Sequence, residues 1–266
     1  MQESVLLIGC GAIGLEVTKR LVDDPEVRIE QILVRPGKEE AVSGDLSNGV
    51  RVISSIDDLD PMPDFVLECA SHEAVSEFGP YFLEQGIDFG VISIGALSDS
   101  ALFDKLEAAS LKGDSQLFLV PGAIGGMDAL AAAGAESLEE VIYTSRKPPL
   151  SWTGTPAEDE FDLAGMTEAT VIYQGSARQA AKLYPKNANV AATIALAGLG
   201  FEDTQVTLVA DPGAKGNTHH FEARGSFGEL DVTIVGNPLP SNPKSSALTA
   251  FSAVRALKNR SQHLCM

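Results

Sequence analysis

The paired histidines of Thr218-His219-His220-Phe221-Glu222-Ala223-Arg224 are well suited to proton transfer, since an unperturbed imidazole titrates at about pH 6.5. In an extended segment side chains alternate between faces. His219 then shares a face with Phe221 and Ala223, and His220 shares one with Glu222 and Arg224, which assigns His219 to the inward side. Such a residue offers general acid/base chemistry for oxidation of an amine or an alcohol. A hydrogen-bonded structural histidine is the plainer alternative. Ser145-Arg146-Lys147-Pro148-Pro149 presents two cations to a carboxylate, or to solvent. In Lys186-Asn187-Ala188-Asn189-Val190 an asparagine could bond a carboxamide or a polar substrate group, although capping the following helix is the simpler assignment. Cys10 has no evident base partner and reads as a small filler, and His72 reads as a residue near the surface.

A second chemistry is written at the start of the chain. The apolar run Val5-Leu6-Leu7-Ile8 leads into Gly9-Cys10-Gly11-Ala12-Ile13-Gly14, and a helix-like segment follows. Gly9 and Gly11 let the backbone turn tightly and bring its N–H groups, with those of Ala12 and Ile13, to a pyrophosphate, while Gly14 allows close helix packing. The helix N-terminus then faces the anion. An acidic residue at the end of the second strand would hold the ribose hydroxyls of NAD, but Leu33-Val34-Arg35-Pro36 stands there. Arg35 can pair with the 2′-phosphate of NADP, stack on adenine, or simply face solvent. Both NAD and NADP remain open as cofactors.

The elements that must position these groups alternate in type. Strand-like runs at 5–8, 28–34, 49–53, 65–70, 90–94 and 117–120 are separated by helical patterns, notably 73–85 and 98–111. This predicts an α/β chain whose N-terminal part is a Rossmann-type doubly wound parallel sheet. From Pro121 the character changes: the glycine-rich Gly122-Ala123-Ile124-Gly125-Gly126 leads into an alanine-rich helix. A strand at 140–144, a loop at 148–162, a strand at 169–173 and helices at 176–184 and 190–200 follow. Strands at 205–209 and 218–224 flank the turn Asp211-Pro212-Gly213 and read as a hairpin, with a further strand at 229–235. Successive strands without helices predict a mixed or antiparallel sheet in a second, smaller α/β domain. Asn237-Pro238-Leu239-Pro240 then breaks the sheet. Leu248, Phe251, Val254 and Leu257 mark the apolar face of a closing helix at 245–258 expected to return to the first domain. The expected division is 1–121, completed by 241–266, and 122–240.

Composition narrows the partners. The 266 residues carry a formal net charge of −18, which argues against nucleic acid or an anionic membrane as a partner. The N-terminal apolar run is broken after four residues and lacks a basic leader, so a secretory signal is not expected. The three cysteines Cys10, Cys69 and Cys265 are scattered, which fits a reducing cytoplasm and offers no zinc motif; no metal site is expected. Patterns of serine hydrolases, P-loop proteins and zinc proteases do not occur.

Taken in order, Gly9-Cys10-Gly11-Ala12-Ile13-Gly14, Glu68-Cys69-Ala70-Ser71, Pro121-Gly122-Ala123-Ile124-Gly125-Gly126-Met127-Asp128, Arg146-Lys147-Pro148-Pro149, Lys186-Asn187-Ala188-Asn189-Val190-Ala191-Ala192 and Asn217-Thr218-His219 resemble the L-aspartate dehydrogenase family over nearly the full chain. The later motifs are more specific than the glycine turn.

The resemblance implies NAD(P)-dependent oxidation of L-aspartate to iminoaspartate. This product hydrolyses to oxaloacetate and ammonia or feeds NAD biosynthesis, and the reverse reaction is a reductive amination. It also implies His219 as the catalytic residue, Ala123 and Asn189 as cofactor contacts, and a homodimer whose second domain serves catalysis and dimerisation. Two other functions are compatible with the same residues: a non-catalytic dinucleotide-binding sensor, and a reductase acting on another imine or a semialdehyde.

Overall fold

The computed structural model describes residues 2–46, 49–136 and 138–264. Cys265, and with it the end of the expected closing segment 241–266, lies outside the described residues. The chain divides into two compact units, Met1–Gly122 with Thr249–Met266, and Ala123–Leu248.

The first unit contains β1 (Glu3–Ile8), α1 (Ala12–Leu21), β2 (Val27–Leu33), α2 (Glu39–Ser43), β3 (Arg51–Ile53), β4 (Phe65–Glu68), α3 (His72–Glu84), β5 (Asp88–Val91), α4 (Ser100–Gly113) and β6 (Leu117–Leu119). Its strands lie in the order β3-β2-β1-β4-β5-β6, every pairing parallel. This is the doubly wound order whose connection reverses between β1 and β4. The central strands are covered on both faces, so Val5, Leu6, Leu7, Val66 and Leu67 are all fully buried. Helix starts are set by local caps: Ser71 accepts from the Ala74 N–H and Asp99 from those of Ala101 and Leu102.

The unit is completed by the helix Ala247–Ser261, from which Ala253 and Leu257 enter the core with Val17, Leu21 and Phe65. The expected apolar stripe is displaced. Ala250, Ala253 and Leu257 form the buried line, whereas Phe251 is 42% exposed, with the Arg20 guanidinium 4.3 Å from its ring centroid. Alanines let the helix approach closely, and the larger side chains fall on its flank. Arg260 locks the helix end to Glu3 at 2.6 Å and Asp88 at 2.9 Å.

The second unit contains α5 (Met127–Gly134), β7 (Leu138–Lys147), α6 (Pro156–Glu160), β8 (Thr170–Ser176), α7 (Ala177–Leu183), α8 (Asn189–Ala197), α9 (Gly200–Asp203), β9 (Gln205–Ala210), β10 (Asn217–Gly225), β11 (Gly228–Gly236), β12 (Pro238–Leu239) and β13 (Asn242–Ser246). The last helix, Ala247–Ser261, is α10. The five-stranded sheet has the order β11-β10-β7-β9-β8, with β7 and β9 parallel and the other pairs antiparallel. The expected mixed sheet is present, but the expected hairpin of β9 with β10 is not. The two strands flank β7 and do not touch as a pair. Asp211 does form the turn, accepting from the Gly213 N–H at 2.7 Å, yet a turn only reverses the chain. The ten-residue β7 lies between them and pairs through one edge with β9 and through the other with β10. The segment at 148–162 also carries more structure than expected, a 3₁₀ turn at Pro149–Trp152 followed by α6.

Candidate active site

The dinucleotide turn of the first unit is built by close backbone packing. Gly9 has φ +91°, a conformation that favours glycine, and a Cβ there would stand 2.6 Å from the Ala70 Cβ. A Cβ on Gly14 would lie 2.5 Å from the Gly9 carbonyl oxygen, so the helix packs on the turn through that glycine. Gly11 faces open space, and α1 begins there without a side-chain cap and with no acidic residue in its first turn. The N–H groups at the start of α1, which have no partner within the helix, therefore fit an anion, as a pyrophosphate requires. The Gly9 N–H donates to the Leu33 carbonyl at 2.8 Å, which aligns the ends of β1 and β2. Arg35 follows two residues later and is exposed.

Beside the turn, Glu68 is fully buried at the end of β4. Its carboxylate accepts from the N–H groups of Ala70, Ile92 and Ser93 and from the Ser93 hydroxyl. Burial raises its pKa, although these donors oppose the rise. The carboxylate ties the ends of β4 and β5 together where the parallel sheet opens. Cys10 and Cys69 flank the turn as free thiols with pKa values raised by burial first. Neither is poised as a nucleophile.

The second unit gathers a different group. Along β7, Val141, Tyr143, Ser145 and Lys147 are buried at alternate positions, and along β10 the same face carries His219, Phe221 and Ala223. His219 is 5% exposed, as alternation predicts. It pairs in register with Ser145, and its Nδ1 lies 2.7 Å from the Tyr143 Oη. Burial pushes the His219 pKa down to about 3, with the positive charge of Lys147 adding to the effect. Its ring is thus neutral at neutral pH. Burial raises the pKa of Tyr143 as well, keeping its hydroxyl protonated.

Lys147 ends β7 in a buried position, and burial lowers its pKa to about 8. Its Nζ donates to the Asn187 Oδ1 at 2.7 Å and lies 5.0 Å from the ring centroid of Trp152. Asn187 is therefore a lysine partner and not the expected helix cap; α8 starts at Asn189 with Ala188 at the N-cap and no side-chain cap bond. Arg146 points to the opposite face and pairs with Asp211 at 2.9 Å. On that face His220 Nε2 lies 3.1 Å from Asp231 Oδ1, and Glu222 completes a group whose possible ligand atoms lie within 4.8 Å of one another.

The structure thus joins His219 to Lys147 and Asn187, three residues that the sequence placed in separate motifs. It adds Tyr143 and Trp152, for which the alternation of β7 and the nearby proline turn were the only signals. Ala123 is buried in the turn between Gly122 at φ +70° and Gly126 at φ +77°, before α5. Asn189 opens α8, two residues beyond the partner of Lys147. Among the described residues no helix is long and apolar enough to cross a membrane.

Comparison with known proteins places these features in a family. Residues 128–260 match the family model described as "Aspartate dehydrogenase, C-terminal", and residues 9–119 match "Homoserine dehydrogenase, NAD binding domain". The L-aspartate dehydrogenase of Cupriavidus necator is 53% identical over 260 residues, spanning 96% of this chain and 97% of its own. That of Pseudomonas aeruginosa is 48% identical over 259 residues, with 96% and 97% covered. The crystal structure of aspartate dehydrogenase from Thermotoga maritima superposes with a TM-score of 0.77 at 29% identity, covering 100% of each chain.

Proposed function

Because the chain belongs to the L-aspartate dehydrogenase family, we propose that it catalyses NAD(P)-dependent oxidative deamination of L-aspartate to iminoaspartate, reversible as reductive amination of oxaloacetate with ammonia. The observation that carries this reading is His219, buried on the inner sheet face with Tyr143 at its Nδ1, in a chain so close to its relatives along its whole length.

The chemistry required of the protein follows from the substrate. An ammonium group has no lone pair to form an imine, so a proton must leave nitrogen before hydride leaves Cα. A neutral imidazole whose Nδ1–H donates to Tyr143 presents a lone pair at Nε2, and His219 takes the proton there. Tyr143 holds the ring in place, its Oη accepting from Nδ1–H in the tautomer that this role requires. A nicotinamide dinucleotide, when bound, supplies the hydride acceptor. In our reading Gly9, Gly11, Ala12, Ile13 and Gly14 hold its pyrophosphate, Arg35 meets the adenosine end, and Ala123 and Asn189 contact the nicotinamide end. Met1–Gly122 with Thr249–Met266 then serves the pyrophosphate and adenosine end of the cofactor, and Ala123–Leu248 serves the substrate and the nicotinamide contacts.

We further propose a cytoplasmic homodimer. The compartment is supported by the scattered cysteines, and the dimer by the outer face of the five-stranded sheet, where Val171 and Val235 are 51% and 69% exposed. Light scattering on the purified chain measures this directly, and a monomer at working concentration would refute it. Steady-state kinetics with L-aspartate and each of NAD and NADP test the reaction itself. Turnover of L-aspartate above other amino acids is expected. Cofactor binding without turnover of any amino acid would favour a sensor, and preference for another imine or a semialdehyde would favour a different reductase.

A further inference from the structure

We infer that Lys147, with Ser145 and Trp152, forms an anion subsite that anchors a carboxylate of the substrate beside His219, and this rests on the dehydrogenase reading above. The first support is charge. A buried ammonium is costly unless an anion or several hydrogen bonds compensate it. Among the described residues Lys147 makes no ion pair, and its Nζ has the Asn187 oxygen at 2.7 Å and the face of Trp152 at 5.0 Å. An ammonium has three donor hydrogens. The neighbouring Arg146 is already matched by Asp211 and lies on the opposite face, so it does not compete for the role.

The second support is a surplus of donors around that cation. Among the described residues, Ser145 Oγ, buried beside Tyr143, completes no hydrogen bond of normal geometry, and the buried indole Nε1–H of Trp152 has no acceptor. Buried polar groups are nearly always paired, and two unsatisfied donors next to an uncompensated cation describe a place for an acceptor with negative charge. Ser145 is also the direct cross-strand partner of His219, which sets the subsite and the proton acceptor side by side.

A dicarboxylic amino acid suits this arrangement: one carboxylate pairs with Lys147 while its amino group meets His219. Pairing also changes His219. The positive charge of Lys147 disfavours a protonated imidazole, and a carboxylate that neutralises it makes the ring a better proton acceptor once substrate is in place.

Trp152 is the only tryptophan of the chain, so its fluorescence reports the subsite without any turnover. Succinate, which has two carboxylates and cannot react, is titrated into the purified protein with and without saturating NAD. The expected result is a saturable change in emission, weakened about 100-fold in Lys147→Met, the scale of one charge-assisted contact of about 3 kcal/mol. Ser145→Ala, which deletes one buried hydroxyl and little volume, is expected to weaken it about tenfold and guards against failure of Lys147→Met to fold. In turnover, Lys147→Met should raise the KM for L-aspartate far more than it lowers kcat, whereas His219→Ala should lower kcat and keep the succinate response. No saturable response of the wild type under either condition, or succinate affinity in both variants within about threefold of wild type, overturns the subsite. Turnover of L-aspartate with an unchanged KM in Lys147→Met defeats the subsite and leaves the reaction standing. Succinate binding through Lys147 without turnover of L-aspartate does the reverse.

Discussion

Tyr143 and His219 face each other diagonally across the antiparallel pair β7 and β10, Oη to Nδ1 at 2.7 Å, two residues out of direct register. Both are almost wholly buried, and their rings lie nearly parallel at 15° with centroids 6.1 Å apart. The tyrosine therefore acts through the histidine, as a positioning residue. Tyr143→Phe should lower kcat by about tenfold or more, with little change in KM, since the ring loses the hydrogen bond that holds it. The unpaired buried nitrogen should cost about 1–3 kcal/mol of stability. Kinetics across pH with a urea titration separate the two effects. An unchanged kcat and pH profile would remove Tyr143 from the mechanism.

The depressed pKa of His219 makes stability depend on acid. In the folded chain the ring titrates at about 3, against 6.5 as its ordinary value, so the unfolded chain binds the extra proton in that interval. Stability is then fully retained above pH 6.5 and falls as pH drops from there toward 3. At pH 4.5 this single group should account for about 2–3 kcal/mol of the loss. His219→Asn should flatten that part of the curve in urea unfolding measured at pH 7 and 4.5. Lys147 has the same sign at the alkaline end, where its burial cost is relieved as pH rises from about 8 to 10.5.

Gly14→Ala forces a methyl group to within 2.5 Å of the Gly9 carbonyl oxygen, a backbone atom that cannot rotate away. The expected cost is about 1–3 kcal/mol in stability, as for other overpacked sites, together with weakened dinucleotide binding. Thermal melting with and without NADH measures both. A variant that melts and binds as wild type does would show that the turn relaxes freely.

Arg35 is expected to set the choice of cofactor because it stands just beyond β2, where an acidic residue would select NAD. Arg35→Ala should lower kcat/KM with NADP by about tenfold, the scale of one charged hydrogen bond in a solvated site, and leave NAD within about threefold. Equal losses with both cofactors would assign Arg35 to adenine stacking or to general support of the turn.

Local pattern carried much of this protein. The G-x-G-x-x-G turn, the alternation of strands and helices in Met1–Gly122, and the inward direction of His219 all follow from spacings of a few residues, because backbone geometry sets which face a side chain meets. The closing helix was legible for the same reason, although its buried line proved to be Ala250, Ala253 and Leu257, a matter of how closely it packs. What local pattern could not carry was partnership. Nothing near His219 in the chain points to Tyr143, 76 residues away, nor anything near Lys147 to Asn187, 40 residues away. The turn after β9 suggested a hairpin, and only the assembled sheet inserted β7 between β9 and β10. Strand order and register are settled by the burial of whole faces against one another, and that competition among distant segments is decided only when the chain has folded.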